Sequence, residues 1–235
     1  MATDDVHAAL LDIDGTLLDS NDAQARAWVD ALAAQGRPQP YDRVRPMIGK
    51  GGDKVLQELL GLAEDDPLAV AISDERRKRF QSRYLASLRP TRGARRLVER
   101  LQERGWKTVV ATSAGEDELP ALLQQADVDD LIAVATSSDD AESSKPDPDI
   151  VHAAIAKSGA HPSHALMIGD TPYDIAAARK AGVGTIALRC GGGWSDSDFE
   201  GALAIYDDPA DLLARWPDSP LAEMRDGSVS RRRRW

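Results

Sequence analysis

Two carboxylates stand two residues apart at the end of an apolar run. The stretch 6–11 leads into Asp12-Ile13-Asp14-Gly15-Thr16. Alternate residues of a strand share a face, and Gly15 lets the backbone turn sharply, so both acids can open into one mouth. Carboxylates at the end of a buried strand cost several kcal/mol each unless positive charge sits between them. A divalent cation is the natural candidate, and the chain reads as built around a metal-assisted reaction.

Three further signals follow in chain order. The run Val109-Val110-Ala111 ends in Thr112-Ser113, which places a hydroxyl and a free backbone N–H at a strand end. In Ser144-Lys145-Pro146-Asp147-Pro148-Asp149 the proline near a helix start leaves Lys145 where anions bind well. Finally, Met167-Ile168-Gly169-Asp170-Thr171-Pro172-Tyr173-Asp174 puts Asp170 at another strand end and Asp174 about one helical turn further on.

These residues need a scaffold that brings strand ends together. Strands are expected at 6–11, 107–111, 131–135, 165–168 and 184–188, with amphipathic segments such as 93–104 and 149–157 between them. That alternation predicts an α/β fold, a Rossmann-like parallel sheet with helices on both faces. The carboxyl edge of such a sheet is where ligands bind. Between residues 20 and 88 the pattern is helical only, at 22–35, 52–60 and 67–88, with Asp19 or Ser20 as the first N-cap. This interval is too long for a simple crossover. The expected organisation is a core of residues 1–19 and 89–216 and an all-helical cap at 20–88, with hinges near Asp19 and Arg89-Pro90. A mobile tail is expected at 217–235.

In this order, each at a strand end, the motifs resemble those of the haloacid dehalogenase-like hydrolase superfamily, in the subclass with a helical cap after the first motif. Asp12-Ile13-Asp14-Gly15-Thr16 matches the first motif, Thr112 the second, Lys145 the third, and Gly169-Asp170 through Asp174 the fourth. The resemblance covers roughly residues 6–188 and implies a phosphatase, phosphoglycolate phosphatase-like, acting on a small phosphorylated metabolite. It implies Asp12 as nucleophile, forming an aspartyl-phosphate, and Asp14 as general acid and then base. It further implies Mg²⁺ held by the Asp12 carboxylate, the Asp14 carbonyl and Asp170, with Asp174 behind them. Thr112, its neighbouring amide (that of Ser113) and Lys145 would hold the phosphoryl oxygens.

Asp14 separates such phosphatases from the haloacid dehalogenases, which lack that second acid. Sugar-phosphate mutases share all four motifs, but their first cap helix carries a His where this chain has Gln24, and their cap-loop Arg falls near Gly52. A non-catalytic phosphate- or metal-binding regulator on the same fold is opposed by the intact acids and lysine. A response-regulator receiver is opposed by the large insert. The loop Arg45-Pro46-Met47-Ile48-Gly49-Lys50-Gly51-Gly52-Asp53 is the expected place of substrate choice, with Arg45 or Lys50 meeting a second anionic group; the alternative is a flexible, solvated loop.

The formal net charge of −10 speaks against nucleic-acid or anionic-membrane partners. The single cysteine, Cys190, leaves no internal disulfide. Without a basic-then-apolar leader or a run of about 20 apolar residues, the expectation is a cytoplasmic protein, monomeric or homodimeric. His161 and His164 flank Pro162 and read as a surface turn rather than a metal site. Gly191-Gly192-Gly193-Trp194 reads as a flexible loop that could edge the site. The terminal arginines, 231–234, read as a solvated tail.

Overall fold

Six short strands, rich in buried apolar residues, form one parallel sheet. In the computed structural model, which describes residues 6–225, the strands are β1 (Ala8–Leu11), β2 (Lys107–Ala111), β3 (Val134–Thr136), β4 (Ala165–Gly169), β5 (Gly184–Leu188) and β6 (Ala204–Tyr206). Their order is β3-β2-β1-β4-β5-β6. The period-two alternation of β1 divides its side chains between two cores. Ala9 and Leu11 pack with Val110, Ile168 and Ile186 on one face, and Ala8 and Leu10 pack with Val109 and Met167 on the other. All four residues of β1 are fully buried, as both faces of a parallel sheet require.

Helices cover the two faces. α5 (Ala94–Glu103) and α6 (Leu119–Gln125) serve the first, and α7 (Asp149–Ser158) and α8 (Pro172–Lys180) serve the second. The strand order reverses direction between β1 and β4, the switch point where a crevice opens at the carboxyl ends of a parallel sheet. Leu11 pairs with Ile168 there, and Asp12 N–H donates to the Ile168 carbonyl at 3.0 Å. Register alone therefore brings the Asp12 and Asp170 segments side by side.

The inserted interval folds as α1 (Asn21–Ala34), α2 (Tyr41–Val44), α3 (Gly52–Leu60) and α4 (Pro67–Arg79), with looser helical turns at Phe80–Tyr84 and Leu85–Ser87. It has an apolar cluster of its own, including Trp28, Leu32, Val44, Ile48, Leu56 and Ile72. Phe80, at the end of α4, is buried in the main core instead. The two connecting segments lie against each other: Asp19 N–H donates to the Arg89 carbonyl and Thr91 N–H to the Leu17 carbonyl, both at 3.0 Å.

Three expectations need correction. β3 begins at Val134 rather than 131, because the chain turns tightly just before it, with Leu131 and Ile132 N–H donating back to the Val128 carbonyl. β6, three residues long, carried too little pattern to be read. The expected mobile tail does not begin at 217: α9 (Pro209–Ala214) is followed by a turn at Trp216–Asp218 and α10 (Pro220–Arg225). Trp216 and Leu221 are buried in the main core, which gives this segment an apolar anchor. The arginines at 231–234 lie outside the described residues. Leu221→Ala is expected to lower unfolding free energy by about 2–5 kcal/mol, as read by urea denaturation. An unchanged midpoint would contradict docking of α10.

Candidate active site

Strand ends supply the acids. Asp12 directly follows β1 and Asp170 directly follows β4. Asp174 is the third helical residue of α8, where it closes a capping box. Its backbone N–H donates to Thr171 Oγ1, while Thr171 N–H and Oγ1 donate to Asp174 Oδ2 at 3.1 and 2.7 Å. Asp12, Asp170 and Asp174 each offer an oxygen within 4.8 Å of the others, and all three are buried. Lys145, in the segment leading to α7, reaches into this group and donates to Asp12 Oδ1 and Asp174 Oδ1, each at 2.7 Å. Its side chain is 1 % exposed. The first, third and fourth motifs thus converge on one point.

The charges do not balance. Three carboxylates surround one ammonium, which leaves two negative charges uncompensated in a buried place. Burial, with Asp174 and Asp14 adding to it and Lys145 opposing it, pushes the Asp12 carboxyl up to about 7. Burial and then the charges of Asp12 and Asp174 raise Asp170 well above the usual carboxylate range. Burial works against the charge on Lys145, but Asp12 and Asp174 together outweigh it and raise its pKa. A hard divalent cation fits this donor set in charge and in ligand type. Asp174 Oδ1 accepts from the Lys145 ammonium and its Oδ2 from Thr171, so this acid anchors both Lys145 and the start of α8.

Asp14 faces a different environment. It is only half-buried, and its Oδ1 accepts from Ser20 Oγ and from Gln24 Nε2, the latter at 3.1 Å. Ser20 is the N-cap of α1 by backbone position, yet its hydroxyl makes no cap bond and goes to Asp14 instead. The Gln24 carbonyl accepts from Arg76 Nη1 at 3.3 Å, and the same nitrogen donates to Glu118 Oε1 at 2.8 Å. Asp12 and Asp14 line one cavity of about 40 Å³, with Thr112 and Ser113 on the core side and Gln24, Trp28, Lys50 and Arg76 on the insert side. Thr112 Oγ1 accepts from Ala114 N–H at 3.2 Å, which leaves its own hydrogen free to donate.

The two loop cations part company. Lys50 lines the cavity; its ammonium pairs with Glu58 and lies 4.8 Å from the Tyr173 ring centroid. Arg45 does not line it. Its guanidinium is taken by Asp22 at 2.7 Å and by the carbonyls of Gly191 and Gly192, so it straps the insert to the loop after β5. That loop is no loose edge, for Arg189–Gly191 is a turn of helix and Gly191 is buried. The loop glycines also serve closeness to the core: a Cβ at Gly49 would meet Thr171 at 2.7 Å and one at Gly51 would meet Ser144 at 1.9 Å.

Sequence reasoning missed Asn21, Ser20, Arg76 and Glu118. Arg76 stands in a run with Arg77, Lys78 and Arg79, and nothing in the linear pattern marks it out. His161 and His164 do form a turn, with His161 Nδ1 accepting from Ser163 N–H at 3.3 Å. Among the described residues, no helix is long and apolar enough to cross a membrane.

The raised acids carry a sign. A carboxyl that holds its proton more tightly folded than unfolded favours the folded state below pH 4 and loses that contribution as pH rises through about 7. In chelator, wild type is therefore expected to lose stability relative to Asp12→Asn between pH 4 and pH 7, and a saturating divalent cation should reverse the difference. Urea denaturation of both proteins across that range is the check, and a flat difference would contradict it.

Comparison with known proteins gives the family. Residues 6–182 match the family described as haloacid dehalogenase-like hydrolase. A phosphoglycolate phosphatase of Rhodospirillum rubrum is 31% identical over 213 residues, covering 87% of this chain and 88% of that protein. An N-acetylmuramic acid 6-phosphate phosphatase of Pseudomonas aeruginosa is 30% identical over 210 residues, covering 88% and 92%. A solved structure of a hydrolase from Pseudomonas syringae is 32% identical with a TM-score of 0.84, covering 90% of this chain and 98% of that one. The chain belongs to the haloacid dehalogenase-like hydrolase family.

Proposed function

We infer that the protein is a Mg²⁺-dependent phosphatase of a small phosphorylated metabolite. The observation that carries this reading is the buried group of Asp12, Asp170 and Asp174 around Lys145, opening through Asp12 into a cavity shared with Asp14. The residues proposed to hold Mg²⁺ are Asp12 and Asp170, with the Asp14 carbonyl and with Asp174 behind. When bound, the cation would neutralise charge on the phosphoryl oxygens.

Lys145 fixes one oxygen of Asp12, and the other attacks phosphorus as the bond to the leaving oxygen breaks, giving an aspartyl-phosphate. Asp14 delivers a proton to that leaving oxygen from Oδ2, since Oδ1 is committed to Ser20 and Gln24. The ionised Asp14 then takes a proton from water, whose oxygen attacks phosphorus, releasing phosphate and restoring Asp12. The Thr112 hydroxyl, the Ser113 amide and Lys145 stabilise the equatorial oxygens throughout.

Two relatives are named as phosphatases of phosphorylated acids, and Lys50, which lines the cavity, would meet a second acidic group. Phosphoglycolate is therefore the first substrate to test, within a panel that includes sugar phosphates. Asp12→Asn and Lys145→Ala are each expected to lower turnover by at least about 10³-fold; near-normal Mg²⁺-dependent hydrolysis by either would overturn the reading. Lys50→Ala is expected to raise KM for phosphoglycolate about tenfold, while Arg45→Ala leaves KM near the wild-type value. Equal effects of the two would remove the distinction between a cavity cation and a strap.

A further inference from the structure

Asp170 is the acid of the cluster that Lys145 does not hold. Its carboxylate is fixed by neutral donors instead: Thr16 Oγ1 donates to Oδ1 at 3.1 Å and Asn21 Nδ2 to Oδ2 at 2.7 Å. Thr16 belongs to the first motif, but Asn21 belongs to the insert, as the first residue of α1, and is 1 % exposed. The same amide nitrogen donates to the Gly191 carbonyl at 3.1 Å. An amide NH₂ has two hydrogens, so both are engaged, one on each partner.

The backbone is shaped around this pair. A Cβ on Gly15 would lie 2.2 Å from both Asn21 Nδ2 and Asp170 Oδ2; one on Gly191 would lie 1.7 Å from Asp170 Oδ2 and 2.7 Å from Asn21 Nδ2. Two separate chain segments therefore need glycine to bring the amide and the carboxylate together. Arg45 donates to the same Gly191 carbonyl, so a second insert residue braces the junction.

We propose that Asn21 is a positioning residue for the cation: its amide presets the Asp170 carboxylate in the orientation in which it ligates the metal. This rests on the reading of Asp170 as a metal ligand. A neutral donor suits the place. An ammonium would cancel charge that the cation needs, and another carboxylate would add a fourth anion to the group. The amide orients Asp170 and leaves its charge available. Residues that hold a metal-binding carboxylate in this way typically alter metal affinity about 10–100-fold when removed.

The test is calorimetric titration of Mg²⁺ into the substrate-free full chain. Asn21→Ala is expected to raise the dissociation constant about 10–100-fold. Gln24→Ala, on the same helix but directed at Asp14, should stay within about twofold of wild type. A folded Asn21→Ala that binds Mg²⁺ like wild type overturns the proposal, as does an equal rise in Gln24→Ala, which would mark general loosening of α1. In unmodified protein the Asn21 side-chain amide resonances should shift along the same Mg²⁺ isotherm. Resonances that stay still overturn the proposal even if the variant does not fold. If wild type and Asp170→Asn bind Mg²⁺ equally, the underlying metal-site reading fails instead.

Discussion

Three buried carboxylates held around one ammonium form an arrangement that water alone does not stabilise, and the surrounding fold is organised to hold it. The sheet contributes two of the acids through register, because β1 and β4 are neighbours whose ends emerge together at the switch point. The third comes from the first turn of α8, where a capping box fixes it against Thr171. Lys145 spans Asp12 and Asp174, from the core strand end to the helix start. With one ammonium for three carboxylates, the group is not a closed ion-pair network and could hold a cation.

The insert acts on this group through neutral contacts. Ser20 and Gln24 engage one oxygen of Asp14, and Asn21 engages one of Asp170, all from the beginning of α1. That helix starts just beyond the paired segments 17–19 and 89–91. Its first turn therefore stays near the sheet edge while its later residues, such as Trp28, Ala31 and Leu32, pack into the insert's own apolar cluster. The core fixes the charges and the insert fixes the orientation of the acids and the far wall of the cavity.

Much of this was legible in the chain, and the limits are physical. β2 and β5 fall at the expected residues because each ends in three apolar residues, Val109-Val110-Ala111 and Ile186-Ala187-Leu188, and follows a glycine turn closely. α3 likewise fits its reading from Gly52 to Leu60, with apolar positions on one face. The core acids were legible because their strand ends are marked locally. Direction was not. Arg45 and Lys50 look equivalent in the loop, and only folding decides that one faces the cavity and the other Gly191. Asn21 carries no local signal, since its partners lie 149 and 170 residues away. The segment at 217–225 was misjudged because its order depends on Leu221 finding the core, and a six-residue helix has too little periodicity to announce that.

Gln24 bears on the choice between hydrolysis and transfer to a second hydroxyl. Its amide carries no proton that titrates, and Arg76 on its carbonyl oxygen turns the NH₂ toward Asp14. Among the residues lining the cavity, Asp14 is the one carboxyl besides Asp12. In the proposed mechanism a single carboxyl would then serve both half-reactions. Having given its proton to the leaving oxygen it would be ionised, which is the state that draws a proton from water. No titratable side chain from α1 stands ready at Gln24 to activate a sugar hydroxyl in competition. The pairing of Asp14 with an amide rather than an imidazole therefore favours water as the final phosphoryl acceptor.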